Sequence, residues 1–319
     1  MSKQSLSGTT ADSVEGVLRE ELAHGDGILA TARPILRHLL VNDGQGLFSD
    51  QVLASVRGMM NHLAIQLLHA QAAHEDTQDH GAFVGARVDM LAAALLDRAA
   101  LLGHAHALTI EANLSDRLSR RSGIDVVLSP LLQELMADRD PEISGLAMQT
   151  LAAQARFMQQ ARRMELPLSE LPQEYFDLIL TVFREVSAET LADTSAAEAT
   201  LRAQYDPAAC RVARMSRLIG ALERRAKRAL EMDHAGVAIF ITALHVASGQ
   251  PRDIAVLSLG ENQVARFALS LRAAGLEQTA VEDQFHFLHP DITLPEGFDT
   301  LRADQAAIML VDAQPWALQ

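Results

Sequence analysis

Apolar residues recur at intervals of three and four along most of the chain, and short polar or glycine-containing stretches interrupt them. Clear examples are the segments at residues 49–73, 83–102 and 171–186. This spacing places apolar side chains on one face of an α-helix and polar ones on the other. The pattern therefore predicts a mainly all-α protein, built as a helical bundle or a helical stack.

The stretches between these segments divide the chain into three parts. Residues 1–12 predict a flexible N-terminal tail, residues 13–122 a helical bundle, and residues 123–319 a second helical domain. Two short apolar runs, at 253–259 and 306–312, fit a buried strand as well as a buried helix, because periodicity cannot separate the two over so few residues. A small α/β element near the C-terminus is therefore left open beside the helical alternative.

An acidic turn separates two apolar helical faces between residues 128 and 154. The apolar residues are Leu131, Leu132 and Leu135 before the turn and Ile143, Ala147 and Leu151 after it. Pro141 suits the first turn of a helix, where a missing N–H costs nothing, and Asp140 is the expected cap. The pattern predicts two antiparallel helices joined by a tight turn.

This stretch resembles one unit of a HEAT-type helical repeat, with the Asp-x-Asp-Pro-Glu turn in the position that the family uses. It departs at Ser144, where the family usually has arginine, and no second copy follows at a fixed period. Residues 248–276 also resemble the C-terminal helices of a bacterial helical-repeat family to which no activity is assigned. The first resemblance implies a HEAT-like domain at 123–319, with an α-solenoid and a bundle as open arrangements.

The composition of the chain argues against several classes of function and location. The formal net charge is −14 and hydrophobic residues make up 49% of the chain, so the chain as a whole repels nucleic acid and anionic membranes. A single cysteine excludes an internal disulfide and fits a reducing compartment. The N-terminus lacks the apolar core of a signal peptide, and no apolar run is long enough to span a bilayer. These features predict a cytoplasmic protein. Nearly all basic residues are arginine, as in GC-rich bacterial genomes, so we expect a bacterial source.

The segment from Pro207 to Glu231 carries a positive net charge, whereas the chain as a whole is negative. Seven basic residues lie in it, against Glu223 alone before its last residue. They are Arg211, Arg214, Arg217, Arg224, Arg225, Lys227 and Arg228. Such a cluster is typical of a face that docks an acidic partner, nucleic acid or a lipid headgroup. The alternative is a solvated helix face that pairs with the chain's own carboxylates.

Cys210 falls in the first turn of the same predicted helix, beside Arg211. A helix N-terminus and neighbouring cations lower the pKa of a thiol and favour the reactive thiolate. The sequence thus allows a reactive thiol at this position. A buried, unreactive cysteine is the alternative.

Glu282, His286 and His289 are spaced four and three residues apart. On one helix they would share a face and offer two nitrogens and one oxygen to a transition metal. The alternative is that these three residues are ordinary polar residues of a surface or an interface and bind no metal.

The sequence favours a non-enzymatic helical scaffold or regulator that binds another protein with an acidic surface. No cofactor and no membrane span are expected, nucleic acid is not the expected partner, and a homodimer is left open. The competing hypothesis is an enzyme that uses the thiol of Cys210 or a metal at Glu282, His286 and His289. No catalytic residue is assigned.

Overall fold

The structure, a computed structural model, describes residues 14–41, 50–75, 79–189 and 192–313, with the backbone alone at 33–34 and 37–41. The predicted tail at residues 1–12 and the residues around 42–49 lie outside this described part. Within it the chain forms fifteen α-helices and no β-strand. The predicted all-α class is therefore confirmed.

The α-helices are α1 (Val14–Val41), α2 (Asp50–Ala72), α3 (His80–Gly85), α4 (Val88–Leu96), α5 (Ala99–Ser122), α6 (Pro130–Met136), α7 (Pro141–Arg162), α8 (Gln173–Glu189), α9 (Ser195–Gln204), α10 (Arg211–Ala221), α11 (Met232–Ser248), α12 (Arg252–Leu257), α13 (Val264–Ala273), α14 (Gln278–Leu288) and α15 (Ala303–Asp312). Short 3-10 helices lie at Leu168–Glu170, Pro207–Ala209, Glu223–Leu230, Glu261–Gln263 and Phe298–Thr300.

The α/β element left open near the C-terminus is not present in the described residues. The apolar run at 253–259 lies in and just after α12, and the run at 306–312 belongs to α15. In α15 the buried residues are Ala306, Met309 and Leu310, whereas Ile308 and Val311 are 57% and 67% exposed. One buried face at helical spacing is the arrangement of an amphipathic helix, and a strand would bury alternate residues.

Contacts group the chain into two compact units. Unit 1 consists of Met1–Ala32, Asn113–Met148 and Met215–Gln319, and unit 2 consists of Arg33–Ala112 and Gln149–Arg214. Each unit is thus assembled from separated stretches of the chain. The division predicted from the sequence has its boundaries after residues 12 and 122, and it stays a prediction.

Helix α11 is the centre of unit 1. It packs against α6, α12, α13, α14 and the 3-10 helix Glu223–Leu230, and α13 packs in turn against α15. Residues 235–244 are buried without interruption, as expected for a helix that is apolar on all sides. The helix is kinked at Gly236, whose φ is 71° and ψ 164°.

Helix α2 has the corresponding place in unit 2. It packs against α3, α4 and α9, and α4 also packs against α8. Apolar side chains at three- and four-residue spacing, among them Val56, Met60, Leu63 and Leu67, are fully buried. The core of this unit therefore follows the amphipathic pattern of its helices.

The acidic turn of the HEAT-like stretch forms as predicted. Asp140 caps α7, because its Oδ1 accepts a hydrogen bond of 2.9 Å from the backbone N–H of Glu142. Ser144 donates a hydrogen bond of 2.8 Å to the carbonyl of Met136 and so ties the start of α7 to the end of α6. The residue that departs from the repeat pattern thus stabilises the hairpin. Membership of the repeat family stays a prediction.

No single helix in the described ranges is long and apolar enough to cross a membrane. Glu223–Leu230 and Met232–Ser248 pass that test of length and composition only as a pair, bent by 110°.

Candidate functional site

The first of the seven basic residues, Arg211, is buried within unit 2. Its guanidinium forms an ion pair of 2.6 Å with Glu111 and a hydrogen bond of 3.0 Å with the amide oxygen of Gln154. It also lies 3.6 Å from the centre of the Phe157 ring. These contacts hold the side chain in the core of unit 2, so it is not available to a partner.

Arg214 is also occupied within unit 2. Its Nε donates a hydrogen bond of 2.7 Å to the carbonyl of Ala209, and its Nη1 donates one of 3.2 Å to Gln149. The side chain is half-buried. Arg211 and Arg214 are therefore not free cations on the expected partner-binding face.

Arg225 and Arg228 belong to the 3-10 helix Glu223–Leu230 in unit 1, and each has an acidic partner from the same unit. Arg225 lies 2.5 Å from Asp138, and Arg228 lies 2.7 Å from Glu134. Both arginine side chains remain nearly half exposed, at 48% and 45%. These two arginines thus pair with carboxylates of the chain itself, which is the alternative to a face that is free to dock a partner.

Asp138 combines two roles. Its Oδ1 accepts the backbone N–H of Asp140, and this hydrogen bond is the largest cause that lowers the pKa of its carboxyl, followed by the hydrogen bond from Arg225. The HEAT-like turn is thereby linked to the basic 3-10 helix through one carboxylate.

Arg217, Arg224 and Lys227 are the remaining members, and all three lie on unit 1. Each is exposed, and none has a hydrogen-bond or ion-pair partner among the described residues. We call these three residues the cationic surface. It is the part of the predicted face whose charge the described residues leave uncompensated.

Cys210 immediately precedes α10 and is 4% exposed. Its sulfur accepts the backbone N–H of Ala213 at 3.4 Å, so the thiol does sit at a helix N-terminus. Burial nevertheless raises the pKa of the thiol, and the carboxylate of Glu170 adds to this, while the backbone N–H groups and Arg211 oppose it. The pKa is shifted in the direction opposite to that expected from the sequence, because desolvation outweighs the helix N-terminus.

The three residues proposed as metal ligands are not brought together. Glu282 and His286 lie on the exposed face of α14, and Glu282 accepts a hydrogen bond from Gln278. His289 follows the end of this helix and is 7% exposed. The shared helix face on which the hypothesis depends is therefore missing. The described part of the chain contains no group of three or more His, Cys, Asp or Glu residues placed to hold a metal ion.

The buried imidazole of His289 lies close to two aromatic rings. Its ring lies 6.3 Å from the ring of Phe267 and 6.2 Å from that of Phe285, measured between centroids. Desolvation lowers the pKa of the imidazole, and a hydrogen bond to the Leu259 backbone and the charge of Glu261 oppose this shift. Neutral imidazole is thus favoured at this position.

A cavity of about 470 Å³ opens beside His289 in unit 1. Its lining consists of Arg117, Arg121, Glu261, Leu288, His289, Pro290, Asp291 and Ile292. The sequence gives only a weak signal for it, the spacing of Arg117 and Arg121, which places both on one face of α5. The other walls come from segments more than a hundred residues further along the chain, and no local sequence pattern connects them to α5.

No family model matches the chain, and no curated protein and no solved structure is detectably similar to it. The two candidate sites, the cationic surface and the cavity, therefore rest on the geometry of unit 1.

Proposed function

We propose that the protein is a non-enzymatic helical scaffold that binds a protein with an acidic surface through the cationic surface of unit 1. The observation that carries this proposal is the exposure of Arg217, Arg224 and Lys227 without a partner among the described residues. They stand in a chain whose formal net charge is −14. Three uncompensated cations against such a background favour an acidic docking partner.

Arg225 and Arg228 extend this surface without being free. Both arginines are about half exposed, but only Arg228 has a partner, Glu134, that is also half exposed, since Asp138 is 16% exposed. Exposed ion pairs contribute little to folding stability, so a carboxylate of a partner protein can compete for the guanidinium of Arg228 at small cost. A nucleic acid is a poorer candidate, because the rest of the chain repels phosphate.

The enzyme hypothesis is not supported by the described residues. The thiol of Cys210 is buried and its pKa is raised, whereas a nucleophilic cysteine needs a lowered pKa and access. Glu282 and His286 are exposed, whereas His289 is buried beyond the helix end, so the three do not converge on one ion.

Charge reversal of the cationic surface tests the proposal. The variant carries Arg217→Glu, Arg224→Glu and Lys227→Glu, and the matched control carries Arg156→Glu, Arg162→Glu and Arg163→Glu. The control residues are exposed arginines of unit 2, so both variants change the charge equally. We expect an acidic protein to co-purify with the wild type and with the control but not with the first variant, with unchanged circular dichroism in both variants.

Salt dependence gives a second readout of the same proposal. Capture through exposed charges must weaken as ionic strength rises, because the Debye length falls from about 10 Å at 0.1 M to about 3 Å at 1 M. Equal capture by wild type and by the Arg217, Arg224 and Lys227 variant would reject this surface as the docking site.

A further inference from the structure

The cavity of unit 1 carries charges of both signs. Arg117 and Arg121 stand one helical turn apart on α5, and Glu261 and Asp291 complete the charged lining. The two guanidinium groups are thus matched by two carboxylates. The cavity as a whole favours neither an anion nor a cation.

These four charged groups do not neutralise one another directly. Arg117 has no hydrogen-bond or ion-pair partner among the described residues, and the same holds for Asp291. Arg121 donates to the carbonyl of Phe287 and lies 5.3 Å from the centre of its ring, which leaves further donors of its five N–H groups free. Opposite charges therefore share a cavity without any ion pair between them.

The remaining lining is apolar or nearly so. Leu288, Pro290 and Ile292 contribute hydrocarbon surface, and the volume of about 470 Å³ lies within the range of about 300–1,000 Å³ that is typical of small-molecule sites. A ligand with an aliphatic group would remove this surface from water.

His289 provides an independent indication at the same place. It lines the cavity and is 7% exposed, and its Nε2 is buried without a hydrogen-bond partner among the described residues. A buried polar nitrogen without a partner costs free energy. A ligand donor reduces that cost only after a small rotation of the ring, because Nε2 itself is closed to solvent.

We propose that this cavity binds a zwitterionic amino compound with an aliphatic side chain, of the size of an α-amino acid or a short peptide. Arg117 and Arg121 bind its carboxylate, since guanidinium groups match carboxylates in geometry and charge. Glu261 and Asp291 bind its ammonium group. Leu288, Pro290 and Ile292 contact the aliphatic side chain.

Isothermal titration calorimetry on the full chain tests this site with three related probes. L-Leucine carries both charged groups, 4-methylpentanoate lacks the ammonium group, and 3-methylbutylamine lacks the carboxylate. We expect L-leucine to bind at least about tenfold more tightly than either analogue, because only the zwitterion engages both pairs of charged residues.

Single variants assign the two ends of the ligand. Arg117→Gln should weaken L-leucine about tenfold and leave 3-methylbutylamine unchanged, and Glu261→Gln should weaken L-leucine and leave 4-methylpentanoate unchanged. Arg120→Gln, an exposed arginine of the same helix outside the cavity lining, is the matched control and should bind all three probes as the wild type does.

The proposal is overturned if L-leucine does not bind at millimolar concentration, or if 4-methylpentanoate binds as tightly as L-leucine. Neither result depends on the cationic surface, because none of its residues lines the cavity. Failure here and failure of the proposed protein docking are therefore distinguishable.

Discussion

The guanidinium of Arg211 lies 2.6 Å from the carboxylate of Glu111, and the two side chains are only 3% and 0% exposed. The contact joins α5 to the first residue of α10 within unit 2. A second N–H of Arg211 reaches the other carboxylate oxygen at 2.9 Å, so the pair is bidentate. Such geometry allows two charges to be buried together, because each satisfies the other's hydrogen-bonding groups.

Removing one member of this pair should be more harmful than removing both. In Arg211→Met the carboxylate of Glu111 stays buried without its cation, and we expect the free energy of unfolding to fall by about 3–5 kcal/mol. In the double variant Arg211→Met, Glu111→Leu neither charge of this pair remains, so most of that loss should be recovered.

Urea unfolding followed by circular dichroism measures both variants against the wild type. The comparison is informative even if Arg211→Met is too unstable to purify well, because the double variant is the one expected to fold. A double variant that is no more stable than Arg211→Met would contradict the role given to the buried carboxylate.

We expect substitution of Gly236 to lower the stability of the protein. Its φ of 71° and ψ of 164° lie in a region that is essentially restricted to glycine and that costs other residues about 1–3 kcal/mol. A Cβ at this position would also lie 3.0 Å from the Cβ of Ser129. We therefore expect Gly236→Ala to lower the midpoint of thermal unfolding clearly.

Gly249 is the matched control for this effect. Its φ of 72° and ψ of 2° are left-handed helical, and a Cβ there would meet nothing within 4 Å. Gly249→Ala should cost only the backbone strain of about 1–2 kcal/mol. Equal or reversed losses in the two variants would show that the kink of α11 does not require glycine.

Cys210 should react slowly in the folded protein. Burial raises the pKa of its thiol, so the thiolate fraction at neutral pH is lower than for a free cysteine, whose pKa is about 8.5. We expect alkylation by iodoacetamide at about pH 7 to be at least about tenfold slower than that of glutathione. Because the chain has a single cysteine, mass spectrometry reports this site alone.

The same reaction in urea is the control for accessibility. Unfolding removes the burial that raises the pKa, so the rate should rise to that of an unstructured thiol. The pH dependence has a definite sign: in the folded chain, reactivity should increase only above the ordinary thiol pKa. Rapid alkylation of the native protein at neutral pH would instead restore the hypothesis of a reactive thiol.

The helices could be predicted because their signals are local. Apolar spacing defines the buried faces of α2, α4 and α8, and the cap at Asp140 depends on a residue only two positions away. The run at 253–259, most of which forms α12, is ambiguous in the sequence because seven residues are too few to distinguish a helical period from a strand.

The sites could not be predicted to the same extent, because they depend on contacts between distant residues. Arg211 is a hundred residues from Glu111, and no local rule separates it from the exposed Arg217. At Cys210 the local rule was right about the helix N-terminus, but the burial that reverses the pKa shift is set by tertiary packing. The cavity likewise forms only because Arg117 and His289, which are far apart in the sequence, both line it.

His289 should make the stability of the protein depend on pH. Desolvation is the main cause that lowers the pKa of its imidazole, Arg117 and Arg121 act in the same direction, and the Leu259 backbone and Glu261 oppose them. In the unfolded chain its pKa is about 6.5. As the pH falls below that value, the unfolded chain takes up a proton that the folded protein resists.

Stability from this residue is therefore fully present above about pH 6.5 and is lost as the pH falls toward the lowered pKa of the folded state. His289→Gln removes the titrating group, so its free energy of unfolding should decline less than that of the wild type between about pH 7.5 and about pH 5. His286→Gln, which removes an exposed histidine from the same helix end, is the control. Urea unfolding across this range checks the prediction, and parallel pH profiles for His289→Gln and the wild type would refute it.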